Sequence, residues 1–228
     1  IWPRDWSSDV CSSDLAMKTR NLTWLCAGLL ALSSCAPQEN TQTAETTPTA
    51  GNAVIETILA RRSIRKYTTQ PVEREKLELI AKCGINAPSG MNQQPWEVRI
   101  VDQAGYIDSL TALYVKANPK AAEDPAFRNM FRNAPAVIFI ASPSNGSGQL
   151  DCGLLGENMV LAAQSLGLGT CCLGGPTRFV KDAPEAAPYL ARLGFSEDYT
   201  LLYAIGVGYP DESPEAKPRD ASKVRFVD

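Results

Sequence analysis

The sequence contains no histidine among its 228 residues. This absence excludes Ser-His-Asp and Cys-His catalysis and any zinc or haem site that uses a histidine ligand. The sequence also lacks a strong net charge, and its formal value at pH 7 is −3. This net charge gives no reason to expect nucleic acid or an anionic membrane surface as a partner. If the protein is an enzyme, we expect a bound cofactor to carry the reaction.

The apolar run from Leu22 to Leu32 covers eleven residues, which is too short to cross a bilayer. It follows a basic start at Met17–Arg20 and ends in Leu32–Cys35, which resembles the signal of bacterial lipoproteins. The alternative is an ordinary secretory signal that happens to end near a cysteine. We expect residues 17–34 to be a lipoprotein signal peptide and Cys35 to be lipidated. A lipid anchor would then be the protein's only attachment to the bacterial cell envelope, on the periplasmic or surface side.

The segments on either side of this signal differ in composition from the rest of the chain. Residues 1–16 resemble translated sequencing-adapter read-through, and we exclude them as a probable artefact. Residues 35–52 are rich in Thr, Gln, Ala and Pro, which favours a flexible tether with too little apolar surface to fold. We therefore expect a single folded domain over residues 53–228.

The sequence has seven cysteines but no spacing typical of a metal site, so no metal ion is expected. Three of them fall in the segments already assigned. The other four lie in apolar or glycine-rich surroundings, which favours buried thiols over disulfides although export would permit oxidation. They are Cys83, Cys152, Cys171 and Cys172.

Positive charge is concentrated in one short stretch of this acidic chain. The segment Arg61–Tyr67 holds four cations and Ser63 within seven residues, and it follows an apolar helical stripe that begins at Val54. One arginine could simply cap the C-terminal end of this helix. Several guanidinium groups with a hydroxyl exceed that need and suit a phosphate monoester.

A second unusual stretch is the loop Asn86–Trp96, which follows a predicted amphipathic helix over Val72–Ile85. The loop combines proline and glycine with two Asn, two Gln and a Trp, which is more than a structural turn needs. Side-chain amides both donate and accept hydrogen bonds, as the edge of a heteroaromatic ring requires.

The remaining pattern alternates helices and short strands. Apolar residues alternate along Trp96–Val101, and Ala136–Ala141 is continuously apolar, which predicts a half-buried and a fully buried strand. Further strands are predicted from Thr170 into a backbone-exposing loop at Gly174-Gly175 and over Thr200–Val207. Helical spacing predicts helices over Tyr106–Ala117, Leu150–Leu166 and Tyr189–Leu193.

Taken together, Arg61–Arg65 and Ala87–Trp96 resemble the FMN-dependent nitroreductase family. The resemblance extends over roughly Val54 to Arg219 and implies an α+β fold, a nitroreductase-like three-layer α-β-α sandwich around a central mixed sheet. It also implies a homodimer that binds FMN across its interface, so that some residues serve the cofactor of the partner chain.

The same resemblance implies roles for individual residues. The phosphate of FMN would contact a basic group made of Arg61, Arg62, Ser63, Arg65, Lys217 and Arg219. The ring and ribityl chain would contact Pro88, Ser89, Asn92, Leu173 and Gly174. No catalytic side chain is expected, because the reaction takes place on the flavin.

The implied activity is electron transfer from a reduced donor, NAD(P)H in most of the family, to nitroaromatic, quinone or related small aromatic acceptors. One alternative is a specialised flavin reaction such as reductive dehalogenation or flavin destruction, and another is a surface lipoprotein that binds a ligand without turnover. The segment 118–133 would cover the substrate in the resembled family, although a plain surface excursion explains its composition equally well. Export would also separate the enzyme from cytosolic NAD(P)H, which leaves its donor open.

Overall fold

The computed structural model describes residues 51–227. The predicted signal peptide, the predicted lipidation site at Cys35 and nearly all of the predicted tether lie outside these residues. Six α-helices and four strands are arranged in the described part as α1 Ala53–Ala60, α2 Arg74–Ile85, β1 Glu97–Val101, α3 Ala104–Ala117, β2 Ala136–Pro143, α4 Gln149–Ser165, β3 Gly169–Leu173, α5 Gly175–Asp182, α6 Ala187–Arg192 and β4 Tyr199–Gly208. Within these residues, no helix is long and apolar enough to cross a membrane.

The four strands form one sheet in the order β1-β2-β4-β3, and every neighbouring pair is antiparallel. A mixed sheet was expected, but the only parallel pairing within residues 51–227 is one isolated bridge between Ser63 and Thr170. Strands β1 and β3 are therefore the two edges, and the basic segment runs beside β3.

Helices cover both faces of the sheet, which confirms the α+β class and the three layers. On one face, Leu77 of α2 and Met159 of α4 pack in a core cluster with Ile138. On the other face, Leu110 of α3 and Val180 of α5 pack with the neighbouring strand residues. Strand β2 is buried on both sides because its alternate side chains enter the two clusters, as its unbroken apolar sequence predicts.

Small residues let α4 approach its neighbours closely. A Cβ added at Gly156 would lie 2.0 Å from the Tyr203 hydroxyl, and one added at Gly84 of α2 would lie 2.4 Å from Met159 Cε. A larger residue at either position would force the Tyr203 or Met159 side chain to move. Gly156 therefore permits close packing of α4 on β4.

One helix was missed from the sequence. The stretch Gly174-Gly175 was expected to form a loop, but α5 begins at Gly175 directly after β3. Pro176 lies in the first turn of this helix, where its missing N–H has no helical partner to lose. The loop between β3 and α5 is therefore reduced to Gly174 alone.

Candidate cofactor site

The main chain of the basic segment is fixed against β3 and the end of β4. The Ile64 N–H donates to the Thr170 carbonyl at 2.9 Å, and the Thr68 N–H donates to the Tyr209 carbonyl at 3.0 Å. The Tyr67 side chain is 1% exposed, and its hydroxyl donates to the Ile64 carbonyl at 2.6 Å. Burial raises the pKa of Tyr67 far above its ordinary value, so this phenol stays neutral. The segment is thus a rigid platform for its charged side chains.

The cations of this platform are poorly neutralised. The Arg61 Nε lies 3.9 Å from Glu157 Oε1, which is a long ion pair. Within residues 51–227, no ion pair involves Arg62 or Arg65. Arg62 Nη1 donates to the Leu59 and Arg61 carbonyls, and Arg65 Nη1 donates to the Ser63 carbonyl, so the other guanidinium donors have no partner in the described chain. Unused charged donors are what an anion requires.

A carboxylate missed from the sequence also binds this segment. Glu212 Oε1 accepts hydrogen bonds from the Arg65 and Lys66 main-chain N–H groups, and the Asp211 N–H donates to the Lys66 carbonyl at 2.9 Å. Glu212 thereby fixes the start of the C-terminal tail beside the basic segment. No sequence signal points to it, because the contact joins residues that are 147 positions apart.

Lys217 and Arg219 are both exposed in the tail beyond Glu212. Arg219 Nη1 donates to the Lys217 carbonyl at 3.1 Å. No hydrogen bond or ion pair in the described part of the chain joins either residue to Arg61, Arg62 or Arg65. Like Arg62 and Arg65, both residues therefore keep charged donors that no residue in the described part of the chain uses.

The loop expected at the ring contains backbone strain. Met91, Asn92 and Gln94 all have positive φ, at 51°, 56° and 50°. Such values are uncommon for residues other than glycine and persist where surrounding contacts enforce them, often at functional sites. Here the Ser89 hydroxyl accepts from the Gln94 N–H at 3.0 Å, and the Asn92 side-chain oxygen accepts from Gln94 Nε2 at 3.3 Å. Pro88 leads directly into this strained turn.

The structure separates the expected roles of Leu173 and Gly174. The Leu173 side chain is 4% exposed and packs in the core, so only its main chain can face a cofactor. By contrast, a Cβ added at Gly174 or Gly175 would meet nothing within 4 Å, which leaves open space in front of the backbone. This open backbone matches the expected close approach of a ligand.

The expected site residues fall into two groups in one chain. The basic segment and Gly174 adjoin the edge strand β3, whereas the strained loop at Pro88–Trp96 leads into the other edge strand, β1. Two strands lie between these edges, a separation of about 14 Å at ordinary strand spacing.

The four cysteines of the domain are free thiols. Cys152 and Cys171 are buried, as expected, and burial raises the pKa of Cys152 to about 11. Cys83 is half-buried and Cys172 is exposed, so the expectation of burial is wrong for Cys172. The reason is strand alternation, because Cys171 and Leu173 on either side of it point into the core.

Comparison with known proteins identifies the family. Residues 58–209 match the Nitroreductase family. The NADPH-flavin oxidoreductase of Vibrio harveyi is 32% identical over 184 residues, which cover 74% of this chain and 70% of that protein.

Solved structures agree with this family. A nitroreductase with bound FMN from Bacteroides fragilis NCTC 9343 aligns with a TM-score of 0.68 at 26% identity, over 78% of this chain and 100% of that one. A nitroreductase with bound FMN from Desulfitobacterium hafniense DCB-2 also aligns with a TM-score of 0.68 at 26% identity, over 78% of this chain and 99% of that one.

The residues present fit FMN. The basic segment supplies unused cationic donors for a phosphate, and the start of α5 supplies open backbone for a flat ring. The chain belongs to the nitroreductase family and is an FMN-dependent oxidoreductase.

Proposed function

We propose that the protein takes electrons from a reduced donor, with NADH and NADPH as the first candidates, and passes them to nitroaromatic, quinone or related acceptors. FMN, when bound, supplies the redox chemistry by accepting hydride at N5 and returning electrons to an acceptor. The observation that carries the proposal is the pairing of unneutralised guanidinium groups with open backbone at Gly174, along the same edge strand.

The chain's own residues bind and orient the cofactor. Arg61, Arg62, Ser63 and Arg65 hold the phosphate, because their main chain is fixed and their side-chain donors are available. This places the arginines in an anchoring role, while the reacting end lies towards Gly174.

At the ring end, Gly174 and the main chain of Leu173 would contact the flavin. Pro88, Ser89 and Asn92 supply the other contacts from the strained loop, where the side-chain amide of Asn92 can both donate and accept. Such fixed polar groups orient the ring and exclude water from it.

A homodimer would unite the two groups of site residues that one chain keeps at opposite edges of its sheet. Several large apolar side chains are also exposed to solvent in the described chain, as expected of a surface that a partner covers. Among them, Met91 is 88% exposed and Leu150 is 77% exposed, and in the tail Val224 is 78% and Phe226 is 96% exposed. A second copy is the partner we propose for these surfaces, and it would also bring the tail cations Lys217 and Arg219 to the phosphate.

We further propose a location in the cell envelope, through a lipid on Cys35. The signal-like sequence that ends at this residue supports the proposal. A donor other than cytosolic NAD(P)H, or a partner protein that delivers electrons, would then serve the enzyme.

The test is anaerobic reduction of the flavin in protein purified without residues 17–35. NADH, NADPH and artificial donors are added in turn, and the flavin absorbance is followed. We expect at least one donor to bleach the flavin and a quinone or nitroaromatic compound to restore it. Colourless protein that FMN cannot reconstitute would overturn the proposal. Bound flavin that no donor reduces would favour a ligand-binding role instead.

A further inference from the structure

The segment that precedes β2 contains a strained turn, and none of its residues belongs to the cofactor site described above. Arg132 and Asn133 are consecutive residues with positive φ, at 59° and 65°. Asn adopts this left-handed conformation fairly readily, but Arg rarely does. The neighbouring Met130 and Phe131 are buried at 4% and 0% exposure, so the turn cannot relax by moving away from the core.

Two asparagine side chains hold the turn. The Asn133 side-chain oxygen accepts from the Arg128 and Asn129 N–H groups at 2.7 and 2.9 Å. The Asn129 side chain accepts from the Phe131 N–H at 2.9 Å and donates to the Ala134 carbonyl at 3.1 Å. Strain that surrounding contacts enforce in this way often marks a functional position.

The turn is attached to the basic segment. Arg128 Nη2 donates to the Tyr67 carbonyl at 2.6 Å. Ala134 packs with Ile64 and Tyr67 in a small core cluster of their own. The buried side of the basic segment and the base of the turn therefore form one packed unit.

The Arg132 side chain itself is exposed and has no hydrogen bond or ion pair to any residue among 51–227. Burial raises the pKa of the Cys171 thiol, and the charges of Arg65 and then Arg132 oppose that rise. Both charges therefore lie near Cys171 of β3. The strained turn packs against the basic segment and presents a cation that has no hydrogen-bond or ion-pair partner among residues 51–227.

We propose that Arg132 is a further binding residue for the anionic end of the cofactor, completing the group formed by Arg61, Arg62, Ser63 and Arg65. This inference rests on the proposed binding of the FMN phosphate by that group. Arg132 reaches the site from a turn about 70 positions away in sequence, which explains why no motif reveals it.

The test compares FMN with riboflavin, which has the same ring but no phosphate. Flavin-free full-length protein and the R132Q variant are titrated with each flavin by fluorescence quenching. We expect R132Q to bind FMN at least tenfold more weakly and riboflavin as tightly as the unchanged protein does. The matched control is R74Q, which removes an exposed arginine paired with Asp102 and should leave both affinities unchanged.

A second variant separates binding from folding. In R132G, glycine adopts the left-handed conformation without strain, so the urea midpoint of the protein should hold or rise while FMN binding weakens. A structural role for Arg132 would instead lower the midpoint and weaken both flavins equally.

Unchanged FMN affinity in R132Q, or an equal loss for FMN and riboflavin, would overturn this inference and leave the proposed function standing. Failure of the unchanged protein to bind FMN would overturn both.

Discussion

Two groups of arginines in this protein are used in opposite ways. Arg74, Arg99 and Arg192 line a cavity of about 520 Å³ beside β1. Arg99 donates to the Leu193 and Gly194 carbonyls at 2.7 and 2.6 Å and pairs with Glu97 at 2.8 Å. Arg74 pairs with Asp102, and the Arg192 guanidinium stacks 5.3 Å from the centre of the Tyr106 ring. These side chains hold α2, α3 and α6 against the sheet edge.

The arginines of the basic segment are arranged differently. Their main chain is fixed, but their guanidinium groups use few donors on protein atoms, and their closest ion pair is the 3.9 Å contact from Arg61 to Glu157. A cluster of cations therefore does not by itself indicate an anion site. Unused donors on a rigid backbone indicate an anion site, because no existing hydrogen bond has to break when the ligand binds.

The largest expected effect comes from removing cations that we propose to bind the phosphate. In a double variant with Arg65→Ala and Arg219→Ala, each lost charged hydrogen bond should cost about 1.5–3 kcal/mol. The sum corresponds to FMN binding weakened by at least about 100-fold. Equilibrium dialysis measures the affinity, and circular dichroism checks that the fold survives. Unchanged flavin stoichiometry would count against the site.

Arg99→Ala should show the reverse pattern. The substitution leaves the Leu193 and Gly194 carbonyls without their donor and removes the ion pair to Glu97, which keeps its hydrogen bonds from Ser196. It also removes the stacking on Phe195, 5.0 Å from the guanidinium carbon. We expect the free energy of unfolding to fall by about 2–3 kcal/mol, with FMN affinity unchanged. Urea unfolding tests the first part and flavin titration the second. A large loss of FMN affinity in a variant that remains stable would contradict the division into structural and ligand-binding arginines.

High pH should lower the stability of the protein through both regions, because each contains a buried tyrosine hydroxyl. Burial raises the pKa of Tyr106 to about 12 and raises the pKa of Tyr67 further. The unfolded chain releases these protons near pH 10 while the folded protein keeps them, so stability is lost as pH rises above 10. At pH 11 the loss should reach about 1 kcal/mol for each tyrosine. Urea midpoints at pH 9 and pH 11 measure it, and equal midpoints would contradict the prediction.

The smallest expected effect is that of Tyr67→Phe. It removes the buried hydroxyl that binds the Ile64 carbonyl at 2.6 Å and should cost about 1 kcal/mol at pH 8. Because the variant lacks this phenol, it should also lose less stability than the unchanged protein between pH 9 and pH 11. Tyr114→Phe is a matched control, since Tyr114 is only half-buried and its hydroxyl makes no hydrogen bond to the basic segment within residues 51–227. A steeper pH dependence in Tyr67→Phe would be the contrary result.

Local patterns were enough to predict much of the fold. The alternating apolar residues of β1 and the unbroken apolar run of β2 each reflect a local rule, and the structure confirms both strands. Helix α5 was missed because Gly174-Gly175 reads as a loop, although Pro176 suits the first turn of a helix.

The candidate site was predictable only where its residues are close in sequence. Arg61–Arg65 stand out because their charges are adjacent in an acidic chain. Glu212 reaches the same place through a tertiary contact, and its sequence neighbours give no sign of it. Leu173 was assigned as a whole residue, but strand alternation directs its side chain into the core.

The most direct test of the account is calorimetric titration of the flavin-free protein with FMN and with riboflavin. The account predicts one FMN bound per chain and riboflavin bound at least about 100-fold more weakly, because riboflavin lacks the phosphate that the arginines hold. Equal affinities for the two flavins would contradict the claim that Arg61–Arg65 anchor a phosphate.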